Sequence, residues 1–123
     1  MVRDAVIDVG TEEFEQLVSA GLDSIPDGLL ELMDNVVILV EDESPPEWPH
    51  VLGLYEGVPL TARGHDYMGA HLLPDAVRIF RGPILRMCHS REEVVQQVRI
   101  TVVHEVAHHF GLEDERLHDL GWG

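Results

Sequence analysis

The most constraining feature of this sequence is an eleven-residue segment near its carboxyl end, in which His104, Glu105, His108, Gly111 and Asp114 follow one another. On an α-helix, residues four apart lie only about 40° apart around the axis, so the two imidazoles would face the same point. A Gly just after the second His can adopt a positive φ, which ends a helix and reverses the chain. The spacing therefore predicts a helix over both histidines and a turn at Gly111 that returns Asp114 towards them.

This pattern is too specific to be an accident of composition. In a random order of the same residues, the five-residue part from His104 to His108 would occur about 5% of the time. Requiring Gly and Asp at their positions as well lowers the chance to below roughly one in a thousand. The segment therefore indicates a functional site rather than a chance arrangement of residues.

The donor atoms in this segment suit zinc. Two imidazole nitrogens and one carboxylate make three protein ligands, which leave the fourth position of a tetrahedral ion for water. Glu105 stands on the flank of the same helix face, where its carboxylate can reach that water without coordinating the metal. We predict a catalytic zinc site formed by His104, His108 and Asp114, with Glu105 as the general base.

Neighbouring residues have other interpretations. His109 points about 100° away from His108, so packing or support of a ligand is the more typical role for it. Further potential ligands follow the same turn, namely Glu113, Glu115 and His118. Three residues after Gly111 give just enough chain to reverse direction, and this length favours Asp114 as the third ligand.

Length and charge narrow the class of protein. A chain of 123 residues is expected to form a single domain, spanning residues 1–123, around one core. The formal net charge of −15 predicts no binding to nucleic acid or anionic membranes, because a field of this sign repels them. No apolar run resembles a signal peptide or a membrane span, and the single Cys, Cys88, fits a reducing compartment. We therefore expect a soluble, cytoplasmic protein in which Cys88 is a packing residue.

Capping residues and apolar periodicity predict the elements before the motif. Thr11 should cap a helix that ends near Asp23, and Pro26 should open a second helix that ends before Asn35. A buried strand is predicted over residues 36–40, strands or a hairpin over 51–55 and 58–60, and a strand with one face buried over 76–81. Residues 41–50 are expected to form an acidic, Pro-rich loop that is solvent-exposed, or else a lid or a rim for basic peptides.

The strand over 76–81 should be broken by Gly82 and Pro83. Ser90 should then cap a long helix that carries Glu92 and Glu93 in its first turn and the two-histidine motif at its end. The predicted site therefore rests on a rigid, buried element.

Residues 104–114 and the tail at 115–122 resemble the small bacterial zincin-like metallopeptidases, also called minimal zincins. This resemblance implies an α+β fold, with N-terminal helices and a small twisted mixed sheet packed on a long active-site helix. It also implies zinc on His104, His108 and Asp114, with Glu105 as the catalytic base. The motif is similar to that of metzincin proteases too, but no Met follows Met87, so the Met-containing turn of those proteins is absent. The floor of the site is then expected from Leu117, Leu120 or Trp122.

The function predicted from these features is zinc-dependent hydrolysis of a peptide bond in a peptide or protein substrate. A substrate backbone would add as a strand beside residues 77–80. Candidates for steadying the oxyanion are Tyr67, Arg116 and His118.

Two alternatives remain open. The first is a metal-dependent endoribonuclease of the ribosome-maturation type, whose motif has similar spacing but a third His and no Glu after the first His. Glu105 and the net charge oppose it. The second is a metal-binding or regulatory module with no turnover of its own.

Overall fold

The computed structural model describes residues 8–33, 35–57 and 74–112. This part of the chain combines helices with one three-stranded mixed sheet, which confirms the predicted α+β class. In chain order, the elements are α1 (Thr11–Asp23), α2 (Asp27–Leu30), β1 (Val36–Glu41), β2 (Gly53–Glu56), β3 (Asp75–Phe80), α3 (Arg81–Met87) and α4 (Arg91–His109). In the described ranges, no helix is long and apolar enough to cross a membrane.

The sheet has the order β1-β3-β2, with β1 parallel to β3 and β2 antiparallel to β3. Because β3 is paired on both sides, it has no edge to which another strand could add. The expectation that a substrate backbone would pair with residues 77–80 is therefore wrong. Within the described ranges β1 pairs with β3 alone, and Val37 and Leu39 remain 39% and 38% exposed. The prediction of a buried strand is therefore wrong, because one face of β1 is exposed and the other is half-buried against the core.

The observed helices differ from the helices predicted from the sequence in three respects. Helix α1 is capped by Gly10 instead of Thr11, which is already helical. Helix α2 is a single turn that ends at Leu30, earlier than predicted. The strand breaker at Gly82 and Pro83 also opens helix α3, because a Pro in the first turn has no N–H to lose from the hydrogen-bond ladder.

Helix α4 begins as predicted. The Ser90 hydroxyl accepts a hydrogen bond from the Glu93 backbone N–H at 3.1 Å, which satisfies one of the unpaired donors of the first turn. From there α4 runs 19 residues and packs against α1 on one side and against β2 and β3 on the other. The core lies between these elements, around fully buried side chains that include Phe14, Val77, Ile79, Val98 and Val102.

Candidate metal centre

The structure brings together His104, Glu105 and His108 in the last turns of α4. Their potential ligand atoms all lie within 4.8 Å of one another, and they form the metal-compatible group found among the described residues. The two imidazole rings are 4.9 Å apart between centroids and meet edge to face at 73°. This is the arrangement that a spacing of four residues produces on a helix, so the two donors are available to one ion.

The three side chains differ in their surroundings. His104 and His108 are half-buried, whereas Glu105 is only 9% exposed. Strand β2 covers the Glu105 side of the helix at Gly53, where an added Cβ would lie 3.0 Å from Glu105 Cγ and 2.8 Å from Thr101 Cγ2. A residue without a side chain is therefore needed at position 53 for β2 to approach the helix this closely.

Helix α4 ends in the predicted chain reversal. Gly111 has a φ of 84°, and its backbone N–H donates to His108 O at 2.9 Å. The Leu112 N–H donates to Ala107 O at 3.0 Å, so the two bonds together form a Schellman motif. The chain therefore turns back one residue before the described part ends. Asp114, the predicted third ligand, lies outside the described residues.

The other residues predicted from the tail also lie outside the described part. These are the candidates for oxyanion stabilisation, Tyr67, Arg116 and His118, and the expected floor residues, Leu117, Leu120 and Trp122. Residues 58–60, predicted as a strand, are likewise outside it.

His109 lies on a different face of α4 from His104 and His108. Its ring is fully buried, and its Nδ1 is 3.0 Å from Asp75 Oδ2 at the start of β3. The Tyr55 hydroxyl on β2 donates to the same carboxylate oxygen at 2.5 Å. The rings of Tyr55 and His109 also meet edge to face, with centroids 6.0 Å apart.

Sequence reasoning missed Tyr55 and Asp75 as members of this network. Each stands alone in its segment, and neither belongs to a recognisable spacing. The available signal was the Asp at the start of a strand that is apolar apart from Arg78, because a buried carboxylate requires a hydrogen-bonding partner.

Cys88 lies at the end of α3 and is 7% exposed. Burial raises the pKa of its thiol, and the nearby Glu93 carboxylate raises it further. Because the thiolate is the nucleophilic form, this environment disfavours a reactive cysteine and agrees with a packing role.

The acidic loop at 41–50 lies on the surface beside α3. Glu43 accepts two hydrogen bonds from the Arg86 guanidinium, at 2.8 and 2.9 Å. This contact, followed by the charge of Arg81, holds the pKa of Glu43 below its ordinary value. Trp48 in the same loop is 54% exposed.

The far side of α4 from β2 borders a cavity of about 460 Å³. Its walls come from the connection between α1 and α2 and from a stripe of α4 that includes Ile100, Val103 and Ala107. The helix that carries the metal-compatible group is therefore tightly covered on one flank and loosely covered on the other.

Comparison with known proteins agrees with this geometry. Residues 33–122 match the family described as zincin-like metallopeptidase. Among solved structures, a conserved hypothetical protein from Thermo thermophilus has a similar fold. It has a TM-score of 0.53 and 22% sequence identity, and the match covers 91% of this chain and 97% of that one. No curated protein matches the chain.

Proposed function

The chain belongs to the zincin-like metallopeptidase family, and from that premise we propose that it is a zinc-dependent hydrolase of peptide bonds. The observation that carries this proposal is the cluster of His104, Glu105 and His108 at the end of a long helix whose inner face is buried. It supplies two nitrogen donors and a neighbouring carboxylate, which is the combination that metal-assisted hydrolysis requires.

The residues present fit a zinc ion. His104 and His108 would supply two nitrogen ligands, and Asp114 would supply the third after the turn at Gly111. The Schellman motif supports Asp114, because it directs the chain back along the helix within three residues of that position. When bound, zinc supplies Lewis-acid polarisation of a carbonyl and lowers the pKa of a water molecule.

Glu105 would move the proton. Its carboxylate accepts a proton from the attacking water as the oxygen bonds to the scissile carbonyl carbon. When the carbon–nitrogen bond breaks, the same proton passes to the leaving amine. The position of Glu105 between α4 and β2 supports this role, because the close approach of Gly53 limits the rotamers of its side chain.

The proposed substrate is an extended peptide, and the sheet suggests where it would lie. Strand β2 borders the sheet and passes next to Glu105, and across the described ranges β3 is its partner. A peptide that paired with the outer edge of β2 would gain backbone hydrogen bonds and run beside the cluster.

The test combines metal binding with digestion. Wild-type protein loaded with zinc should retain about one ion per chain, melt at a higher temperature than after chelation, and cleave members of a peptide library. Glu105→Gln should keep zinc and lose cleavage, because the amide has a similar size but cannot accept the proton. Cleavage of RNA, but not of peptides, would instead support the ribonuclease alternative. Peptide cleavage by Glu105→Gln at the wild-type rate would show that another residue is the base.

The third ligand is tested separately. Asp114→Ala should weaken zinc binding by at least about tenfold in competition with a chelator, whereas Asp114→His should retain metal because imidazole is also a zinc donor. Glu113→Ala and Glu115→Ala are matched controls that should change the affinity little. Unchanged affinity in Asp114→Ala, together with a large loss in His118→Ala, would move the third ligand to His118.

A further inference from the structure

Tyr55, Asp75 and His109 form a polar network behind the proposed metal site, in which Asp75 and His109 are buried and Tyr55 is half-buried. Asp75 is 1% exposed and His109 is 0% exposed, and one oxygen of the Asp75 carboxylate contacts both the Tyr55 hydroxyl and His109 Nδ1. The three residues come from β2, β3 and α4, so the network joins the end of the helix to two strands of the sheet.

Stability alone does not account for such a network. Taking a carboxylate out of water is costly, and well-packed apolar side chains in its place are often at least as stabilising. Hydrogen bonds differ from apolar contacts in that they depend on direction, because they weaken steeply as the donor–hydrogen–acceptor angle departs from linearity. A network of this kind therefore fixes how the helix is rotated and how far along the sheet it lies, which apolar packing leaves less defined.

The position of His109 connects this restraint to the site. His109 is the residue after His108 and lies one helical turn after Glu105, so a rotation of the last turn would move all three. Strand β2 also touches the site directly, because Gly53 lies against Glu105 two residues before Tyr55. The same strand thus contacts the helix once through close packing and once through the network.

We propose that Tyr55, Asp75 and His109 are positioning residues that set the rotation of the last turn of α4, and so place His108 and Glu105 for metal binding and proton transfer. This inference rests on the proposed zinc-dependent function. The three residues act through the helix and do not touch the substrate or the metal.

The test compares His109→Leu, which removes the hydrogen bond, with His109→Asn, whose side-chain amide can replace the ring Nδ1. His109→Leu should weaken zinc affinity by at least about tenfold and change the visible spectrum of the cobalt-loaded protein, which reports coordination geometry. His109→Asn should restore most of the zinc affinity and most of the wild-type cobalt spectrum. Tyr55→Phe, which leaves the His109 contact in place, should give a smaller change of the same sign and remains informative if His109→Leu does not fold.

The matched control is Val98→Ala, a fully buried position on the same helix away from the network. It should lower the unfolding temperature while leaving zinc affinity and the cobalt spectrum unchanged. If Val98→Ala produced the same losses as His109→Leu, or if His109→Leu left both readouts unchanged, the positioning role would be wrong.

A metal-free measurement separates this inference from the proposed function. In the protein without metal, Tyr55→Phe removes only the hydroxyl that bonds Asp75 and lies far from α4 in the chain, so it should shift the backbone amide resonances of Glu105 and His108 through the network. Failure of the wild-type protein to bind zinc would overturn the proposed function, while these resonances would still decide the positioning role. Unshifted resonances of Glu105 and His108 in Tyr55→Phe would overturn the network even in a protein that binds zinc.

Discussion

The two flanks of helix α4 are packed in opposite ways. The flank that faces the sheet carries Thr101, Glu105 and His109, which are 4%, 9% and 0% exposed. The other flank carries the apolar side chains Ile100 and Val103 beside a cavity of about 460 Å³, and Ile100 is 44% exposed. Thr101, Glu105 and His109 are therefore more fully covered than Ile100, although Val106 and Ala107, which also line the cavity, are 2% and 1% exposed.

This difference shows where the helix is held. Apolar contacts are not directional and tolerate small shifts, so the cavity flank defines the position of α4 only loosely. The sheet flank combines the close approach at Gly53 with the hydrogen bonds of His109, and both depend on geometry to within a few tenths of an ångström. Glu105 lies on the flank that is defined more closely, and His108 lies beside it.

The largest expected effect is on the sheet flank. Asp75→Ala removes the acceptor shared by Tyr55 and His109 and should lower the free energy of unfolding by about 3 kcal/mol. Urea denaturation would measure it. Ser24→Ala, which removes one hydrogen bond to Gly21 O beside the cavity, is the control and should cost no more than about 1 kcal/mol. Equal losses in the two variants would remove the contrast between the flanks.

A second effect of intermediate size concerns close packing. Gly53→Ala would place a Cβ within 3.1 Å of Thr101, Glu105 and the Arg78 carbonyl oxygen, so it should cost about 1–3 kcal/mol of stability. It should also displace Glu105, which a crystal structure of the variant would reveal. Gly28→Ala is the matched control, because a Cβ at Gly28 meets nothing within 4 Å and Ala favours the helix by about 0.5–1 kcal/mol. A stable Gly53→Ala with Glu105 in place would show that β2 does not restrain the site.

The smallest expected effect is on the cavity flank. Val103→Leu adds a methylene group towards empty space and should change stability by less than about 1 kcal/mol, in the stabilising direction. The same change at Val102, which is fully buried, should destabilise the protein because no space is available there. Thermal denaturation of both variants would measure these changes in stability. A destabilised Val103→Leu would mean that the cavity flank is packed as closely as the other.

Much of helix α4 could be predicted from sequence because its signals are local. Ser90 caps the helix through a residue three positions away, and the helix ends through bonds from Gly111 to His108 and from Leu112 to Ala107. The juxtaposition of His104 and His108 follows from helical geometry alone. None of these features depends on what the rest of the chain does.

Strand β1 and helix α3 have features that local sequence signals could not predict. The apolar run at 36–40 indicated a strand, but the exposure of Val37 and Leu39 depends on which face of the sheet the core covers. Gly82 and Pro83 were recognised as ending a strand, but they are equally compatible with a loop and with the first turn of a helix. Packing against α4 decided between the two.

The sequence by itself determined the histidine pair, the neighbouring carboxylate and the chain reversal that follows them, because each depends on residues within one or two helical turns. Only the tertiary structure decided that Tyr55 and His109 meet at Asp75 and that Gly53 lies against Glu105. Those contacts join residues that are far apart in the chain, and they depend on the pairing register of β2 with β3 and on the rotation of α4 against both. The hydrophobic pattern limits that register and rotation, but the cooperative packing of the whole core selects them.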